Sequence, residues 1–151
     1  MKDSMADPIE KVLHVADVMM NTPITLNPTH SFSDAVTLMA NHHFHHCLIV
    51  DSTGRLAGVV SDRDILRALS RTKDRETKNV SEIMTREPFT VRSGTLLMDA
   101  VATMVTEHIN CLPVVNDDGS VCGILTSTDL LKSFQTVLGW LRKKALTART
   151  T

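Results

Sequence analysis

Tyrosine is absent from this 151-residue chain, and aromatics of any kind are scarce: four phenylalanines and one tryptophan. Eight methionines supply the adaptable core filler that aromatics would otherwise give. Cysteine is rarer still. Cys47, Cys111 and Cys122 fall at no CxxC or other framework spacing, which argues against a disulfide scaffold and suits reduced, mostly buried thiols in a cytoplasmic protein. No apolar run approaches the ~20 residues of a membrane span. The polar start Met1-Lys2-Asp3-Ser4 lacks the apolar centre of a signal peptide. Nor is there a block of like charge. Sixteen basic and seventeen acidic residues are mixed along the chain, for a formal net charge of −1, whereas a nucleic-acid or anionic-membrane partner calls for a basic face. Neither kind of partner is expected.

What the chain does have is itself, twice. Shifted by 65 residues, Ala16–Leu69 falls on Ser81–Phe134 without a gap. Met19 meets Met84, Pro23 meets Pro88, and Asp34-Ala35-Val36 meets Asp99-Ala100-Val101. His43 meets His108, Gly54 meets Gly119, Gly58 meets Gly123, and Asp64 meets Asp129. Self-similarity at a fixed period marks a repeat architecture.

Each copy reads as β-α-β-β-α after a short lead-in helix near Asp17–Met20 or Glu82–Thr85. Short strands are expected at Ile24–Leu26 and Phe89–Val91. Phe32, Ala35, Val36 and Met39 keep the i, i+3, i+4, i+7 spacing of a half-buried helix, as do Leu97, Ala100, Val101 and Met104. Ser31 with Asp34 suits a capping box. Apolar strands follow at Cys47–Val50 with Leu56–Val60, and at Leu112–Val115 with Val121–Leu125, each pair joined by a turn with Gly at its bend. A last helix begins near Asp62 or Ser127. A unit of ~55 residues is marginal alone, so the expectation is one mixed α+β globule with pseudo-twofold symmetry. Its divisions are an N-terminal segment 1–15, repeats 16–70 and 81–135, a polar linker 71–80 and a helical extension 136–151. In that extension Val137, Leu138, Trp140 and Leu141 need cover from the chain or a partner.

Gly58-Val59-Val60-Ser61-Asp62-Arg63-Asp64 and Gly123-Ile124-Leu125-Thr126-Ser127-Thr128-Asp129 share one pattern: Gly, two apolar residues, Ser or Thr, two more, then Asp. Together with Leu112-Pro113-Val114-Val115 and the openings Val18-Met19-Met20…Pro23 and Ile83-Met84-Thr85…Pro88, it resembles the cystathionine-beta-synthase (CBS) domain pair over roughly 16–134. The residues carry a chemical argument of their own. A strand running into a helix N-terminus offers N–H groups and positive potential to an anion. Ser61 and Thr126 stand there, Ser127 adds a hydroxyl, and the Arg63 guanidinium suits phosphate. Asp64 and Asp129 lie one turn in, and a carboxylate can grip a ribose diol. The resemblance implies the same roles, and places adenine between the first strand and the strand before the turn, at Thr25 and Ile49 or Thr90 and Val114. Pro113 fixes the backbone of that wall in the second copy, which makes the second site the more family-like.

A plainer reading is equally open at these positions. Ser61-x-x-Asp64 and Thr126-x-x-Asp129 are also helix capping boxes, worth ~1 kcal/mol each. Other features point away from chemistry. His42, His43, His45, His46 and Cys47 straddle a helix end and a strand start, so their side chains diverge and no metal site is expected. Asp17, Glu82, Asp34 and Asp99 read as caps or dipole partners. No nucleophile–base constellation is visible. The expected protein is a non-enzymatic sensor with no required cofactor. It binds an adenine nucleotide (AMP, ADP, ATP) or an S-adenosylmethionine-like ligand, forms a homodimer and acts through a separate effector. The competing expectation is a ligand-free dimerisation and protein-interaction module.

Overall fold

The computed structural model describes residues 12–71 and 78–148. Residues 1–11, 72–77 and 149–151 lie outside it, with most of the expected N-terminal segment and linker. Among the described residues the elements are β1 (Met20–Asn21), β2 (Thr25–Leu26), α1 (Phe32–His42), β3 (His46–Val50), β4 (Leu56–Ser61), α2 (Asp62–Arg71), α3 (Leu97–Thr106), β5 (Cys111–Val115), β6 (Val121–Thr126) and α4 (Ser127–Ala148). They build a mixed α+β fold of two small sheets, β2-β3-β4 and β1-β6-β5. The lead-in segments form single 3-10 turns at Val15–Asp17 and Val80–Glu82, slightly earlier than their sequence suggested.

Local chemistry accounts for the elements. Ser31 caps α1: its hydroxyl accepts from the Asp34 N–H at 3.1 Å while Asp34 Oδ2 accepts from the Ser31 N–H at 2.8 Å. Those hydrogen bonds hold the Asp34 carboxyl below its usual range. Buried Phe32, Ala35 and Met39 face the sheet. His43 and His108 end their helices in the left-handed region, both at φ 55°. Asp17 and Glu82 accept from the backbone of His14 and Asn79, a capping role in each lead-in.

The expected strand at Phe89–Val91 is a correction. Only Val91 bridges, pairing in parallel with Val114. Its counterpart β2 holds two pairs, Thr25 with Leu48 and Leu26 with Ile49. The residue matching Leu48 is Pro113, which has no N–H to give the next rung, so the ladder stops after one.

The two repeats exchange their openings. Met20 pairs with Ile124 and Asn21 with Gly123, so the start of the first repeat is a strand of the second repeat's sheet. Thr85 pairs in turn with Val59. The 65-residue shift carries one contact onto the other. It also carries Val15 N–H to Thr95 C=O onto Val80 N–H to His30 C=O, both 2.9 Å. Val80 sits in the core cluster of Leu26, Ile49, Val60 and Ile65, while Val15 sits with Ala100, Leu112, Val114 and Leu125. Leu48, Val59, Cys111 and Ile124 form a third cluster that joins the repeats. The pseudo-twofold axis passes by the turns, where Arg55 bridges Ser120, the residue it matches.

Glycine is required where the openings cross. A Cβ at Gly58 would stand 2.7 Å from the Met84 sulfur and 2.7 Å from the Thr85 carbonyl oxygen. A Cβ at Gly123 would stand 2.8 Å from the Met19 sulfur and 2.9 Å from the Met20 oxygen.

Candidate functional site

Both Ser/Thr–Asp motifs form at strand-to-helix junctions, and both are closed capping boxes. Ser61 donates to Asp64 Oδ2 through its N–H at 2.8 Å and its hydroxyl at 2.7 Å, while the Asp64 N–H donates to Ser61 Oγ at 3.2 Å. Thr126 and Asp129 repeat this at 2.9, 2.6 and 3.3 Å. The hydroxyl hydrogens therefore point at the carboxylates and must rotate to serve an anion. Nor are all the helix-terminal N–H groups open, as the sequence suggested. Asp62 N–H donates to His45 C=O and Ser127 N–H to Asn110 C=O, both at 3.0 Å. The N–H groups of Arg63 and Thr128 are left with no partner among the described residues.

Each carboxylate caps through Oδ2 alone. Asp64 Oδ1 lies 3.7 Å from Arg67 Nη1, and the Asp64 side chain is 18% exposed. Asp129 Oδ1 takes no part in the cap. A ribose hydroxyl can therefore approach Oδ1 without breaking the helix start. The first junction also differs in charge. Asp62 Oδ2 accepts from His45 Nδ1 at 3.0 Å, and exposed Arg63 beside it has no ion partner among the described residues. At the second junction Ser127 and Thr128 are uncharged. In the other repeat the Cys111 thiol is pushed up to about 12, first by burial and second by the Asp64 charge.

The expected adenine-wall residues divide. Ile49 and Val114 are fully buried, and Pro113 is buried with them, so they present no surface to a ligand in this structure. Thr25 is half-buried at the edge of its sheet, and Thr90 is exposed. Thr90 lines a cleft of about 590 Å³ between the repeats, with Leu56 and Ala57 from the first and Arg86, Glu87, Pro88 and Val115 from the second. Volumes of ~300–1,000 Å³ suit small-molecule ligands. The cleft lies beside the β5–β6 turn. Thr126 stands at the opposite end of that hairpin, paired with Cys111, so the structure does not bring Thr126, Ser127 and Asp129 to this cleft.

Sequence reasoning missed Arg86, Glu87, Leu56 and Ala57. Glu87 and its counterpart Thr22 both take positive φ, 51° and 48°, where the chain swings from one repeat's sheet to the other. Such conformations are uncommon outside glycine, especially for β-branched threonine. The only sequence signal was the proline that follows each.

The His cluster disperses. His42 stacks on Phe44 at 5.6 Å, His45 bonds Asp62, and His46 lies in β3, where burial lowers its pKa. Among the described residues no group of three or more His, Cys, Asp or Glu side chains is placed to hold a metal. No helix among them is long and apolar enough to cross a membrane.

The CBS domain profile matches residues 15–71 and 80–136. An L-aspartate semialdehyde sulfurtransferase of Methanocaldococcus jannaschii is 33% identical over 120 residues, covering 80% of this chain and 23% of the relative. The chain thus spans about a quarter of the length of the curated relatives it matches. Among solved structures, the CBS domain pair of protein MJ0100, in complex with 5'-methylthioadenosine and S-adenosyl-L-methionine, superposes with a TM-score of 0.75 at 32% identity. That match covers 81% of this chain and 99% of the other. The protein CBSX2 in complex with AMP gives a TM-score of 0.72 at 29% identity, covering 82% and 97%.

Proposed function

This chain belongs to the CBS domain family, and we propose that it is a non-catalytic regulatory pair that binds an adenosine-containing ligand. The observation that supports the reading is the pair of matched junctions, in which each Asp caps its helix through Oδ2 alone, leaving Oδ1 outside the cap. In this reading Asp64 and Asp129 hold ribose. Ser61 with Arg63, and Thr126 with Ser127, meet phosphate or its replacement. Adenine lies beside Thr25 in the first repeat or Thr90 in the second, over the buried Ile49 or Pro113 and Val114, and reaches from there towards the Asp of the same repeat. The ligand is an adenine nucleotide or an S-adenosylmethionine-like molecule, as in the two ligand-bound neighbours. No catalytic group is assigned, and the bound state is read by a separate effector. A homodimer built on exposed Val36, Leu66, Met98 and Val105 belongs to the same reading, and a strictly monomeric mass at tens of micromolar refutes that part.

The test is a thermal-shift series with AMP, ADP, ATP, NAD and S-adenosylmethionine at millimolar concentration. A ligand at 100 times its Kd adds ~2.7 kcal/mol, which raises Tm by roughly 5–10 °C in a chain of this size. Calorimetry on Asp64→Ala and Asp129→Ala then ranks the sites: losing a charged hydrogen bond costs ~1.5–3 kcal/mol, about tenfold or more in affinity. No shift with any of the five refutes the proposal.

A further inference from the structure

The exposed apolar side chains of the helices are shared unequally between the repeats. Leu66 on α2 and Leu131 on α4 match across the repeat and are equally open, at 64% and 67%. Beyond that pair the second repeat takes over. On α3, Met98 and Val105 are exposed, where α1 carries Ser33 and Ala40. With exposed Ala102 they recur at i, i+4, i+7, on the side of α3 away from buried Ala100 and Met104. On α4, Phe134 is 58% exposed, Leu138 48% and Leu141 42%. Against these α2 has half-buried Leu69, and it ends at Arg71.

Helix geometry fixes what the α4 stripe presents. At 3.6 residues per turn Leu131, Phe134, Leu138 and Leu141 fall in one arc of about 80°, and Ala145 falls within it. Lys132 and Lys143 stand on the far side of the helix, and Arg142 at the edge of the arc. The stripe itself therefore carries no charge of either sign, and its complement is another uncharged apolar stripe. A second copy of the chain supplies one. It also repeats the matched spacing of Leu66 and Leu131, which gives this outer face the internal twofold of the fold. Between two copies an isologous contact sets the same patch against itself. With the axis midway along the stripe the helices run antiparallel, so that Leu131 meets Leu141 of the second copy and Phe134 meets its Leu138. The helix dipoles are then opposed, and the two Arg142 side chains stand roughly 18 Å apart along the helix. A parallel pairing would set Arg142 against Arg142. Packing α4 on α2 of the second copy is the poorer match, because Leu66 is the one exposed apolar side chain that α2 offers.

We propose that two chains meet second repeat to second repeat, with α4 antiparallel to its copy across Leu131, Phe134, Leu138 and Leu141. This rests on the homodimer part of the proposed function and gives it an orientation. It moves the weight of the interface from Val36 and Leu66 to the second repeat, and makes the long end of α4 a dimerisation element.

The test uses the full chain. Sedimentation equilibrium at tens of micromolar should give twice the chain mass. Leu138→Glu should weaken the dimer at least tenfold, and Leu66→Glu less than threefold. For the orientation, chains with Leu131→Cys and chains with Leu141→Cys, each also carrying Cys122→Ser, are oxidised alone and after mixing. Positions 131 and 141 lie about 15 Å apart along one helix, whereas a disulfide needs Cα atoms within ~7 Å. The mixture should therefore give a cross-linked dimer on a non-reducing gel, and neither variant alone should. A cross-link within either variant alone means parallel helices and overturns the proposal, as does no cross-link in the mixture. A dimer that Leu66→Glu breaks and Leu138→Glu leaves intact overturns the orientation while the homodimer reading stands. A parent chain that is monomeric at this concentration overturns both. Should Leu138→Glu lose helix by circular dichroism, the cross-linking arm, which changes no charge, decides alone.

Discussion

Gly58→Ala is the sharpest probe of how the repeats are joined. The added methyl would stand 2.7 Å from the Thr85 carbonyl oxygen and 2.7 Å from the Met84 sulfur. The methionine can swing aside, but the carbonyl belongs to backbone. Thr85 is held to Val59 by two hydrogen bonds, Val59 N–H to Thr85 C=O at 3.0 Å and Thr85 N–H to Val59 C=O at 2.8 Å. Room for the methyl comes only by moving that strand off β4. Overpacking alone costs ~1–3 kcal/mol, and weakening two backbone hydrogen bonds adds up to about 1 kcal/mol each. The expected loss is about 2–4 kcal/mol, or roughly 5–15 °C in Tm at ~2–4 °C per kcal/mol. Gly123→Ala should cost the same within error, because Met19 and Met20 stand to it as Met84 and Thr85 stand to Gly58. Gly139→Ala supplies the control. Its Cβ meets nothing within 4 Å in the middle of α4, and replacing a helical glycine by alanine gains ~1 kcal/mol. Urea unfolding followed by circular dichroism reads all three. A Gly58→Ala protein at least as stable as the parent would refute the crossing argument.

The capping boxes predict that Ser61→Ala and Thr126→Ala each lose ~1 kcal/mol of stability without ligand, measured by the same unfolding curves; a loss indistinguishable from zero at both would mean the boxes do not hold the helix starts. The thiols predict a pH dependence. Burial pushes Cys47 up to about 11, and burial with the Asp64 charge pushes Cys111 up to about 12, from an ordinary 9.0. The folded chain keeps protons that the unfolded chain releases, so this stability is complete below pH 9 and is lost as pH rises towards 11 and 12. A Cys47→Ala, Cys111→Ala variant, after its own cavity cost, should show a flatter decline between pH 8 and about 10.5, and an equally steep one refutes the assignment. At neutral pH, Cys122, the half-buried member, should react with a thiol reagent before the other two.

The sequence made the repeat and its element types readable because both rest on short-range pattern: the apolar spacing of α1 and α3, the two hairpins around Gly54 and Gly119, the Ser/Thr–Asp caps. It did not reveal that the openings trade places. Met19 and Met20 carry the same residue types whether they lie on their own repeat or on Gly123, and the pairing partner lies about a hundred residues away, beyond the reach of periodicity. The glycines at 58 and 123 were the available signal, and the methionine sulfurs and carbonyls beside them show that what they clear is backbone. The lost strand at Phe89–Val91 was legible in principle, since Pro113 was known to lack an N–H, but only once parallel pairing between those two segments was known. The site suffered from a different limit. Caps and nucleotide sites need the same residues at the same spacing, so Ser61 and Asp64 could not be told apart as one or the other from sequence; the structure shows the caps, and their geometry leaves room for the proposed second use. Oδ2 of each Asp is spent on the helix and Oδ1 is not. Removing either Asp should therefore lower stability and affinity together, and Ser61→Ala or Thr126→Ala should do so to a smaller degree, because each hydroxyl closes its cap and, in the proposed reading, also meets phosphate.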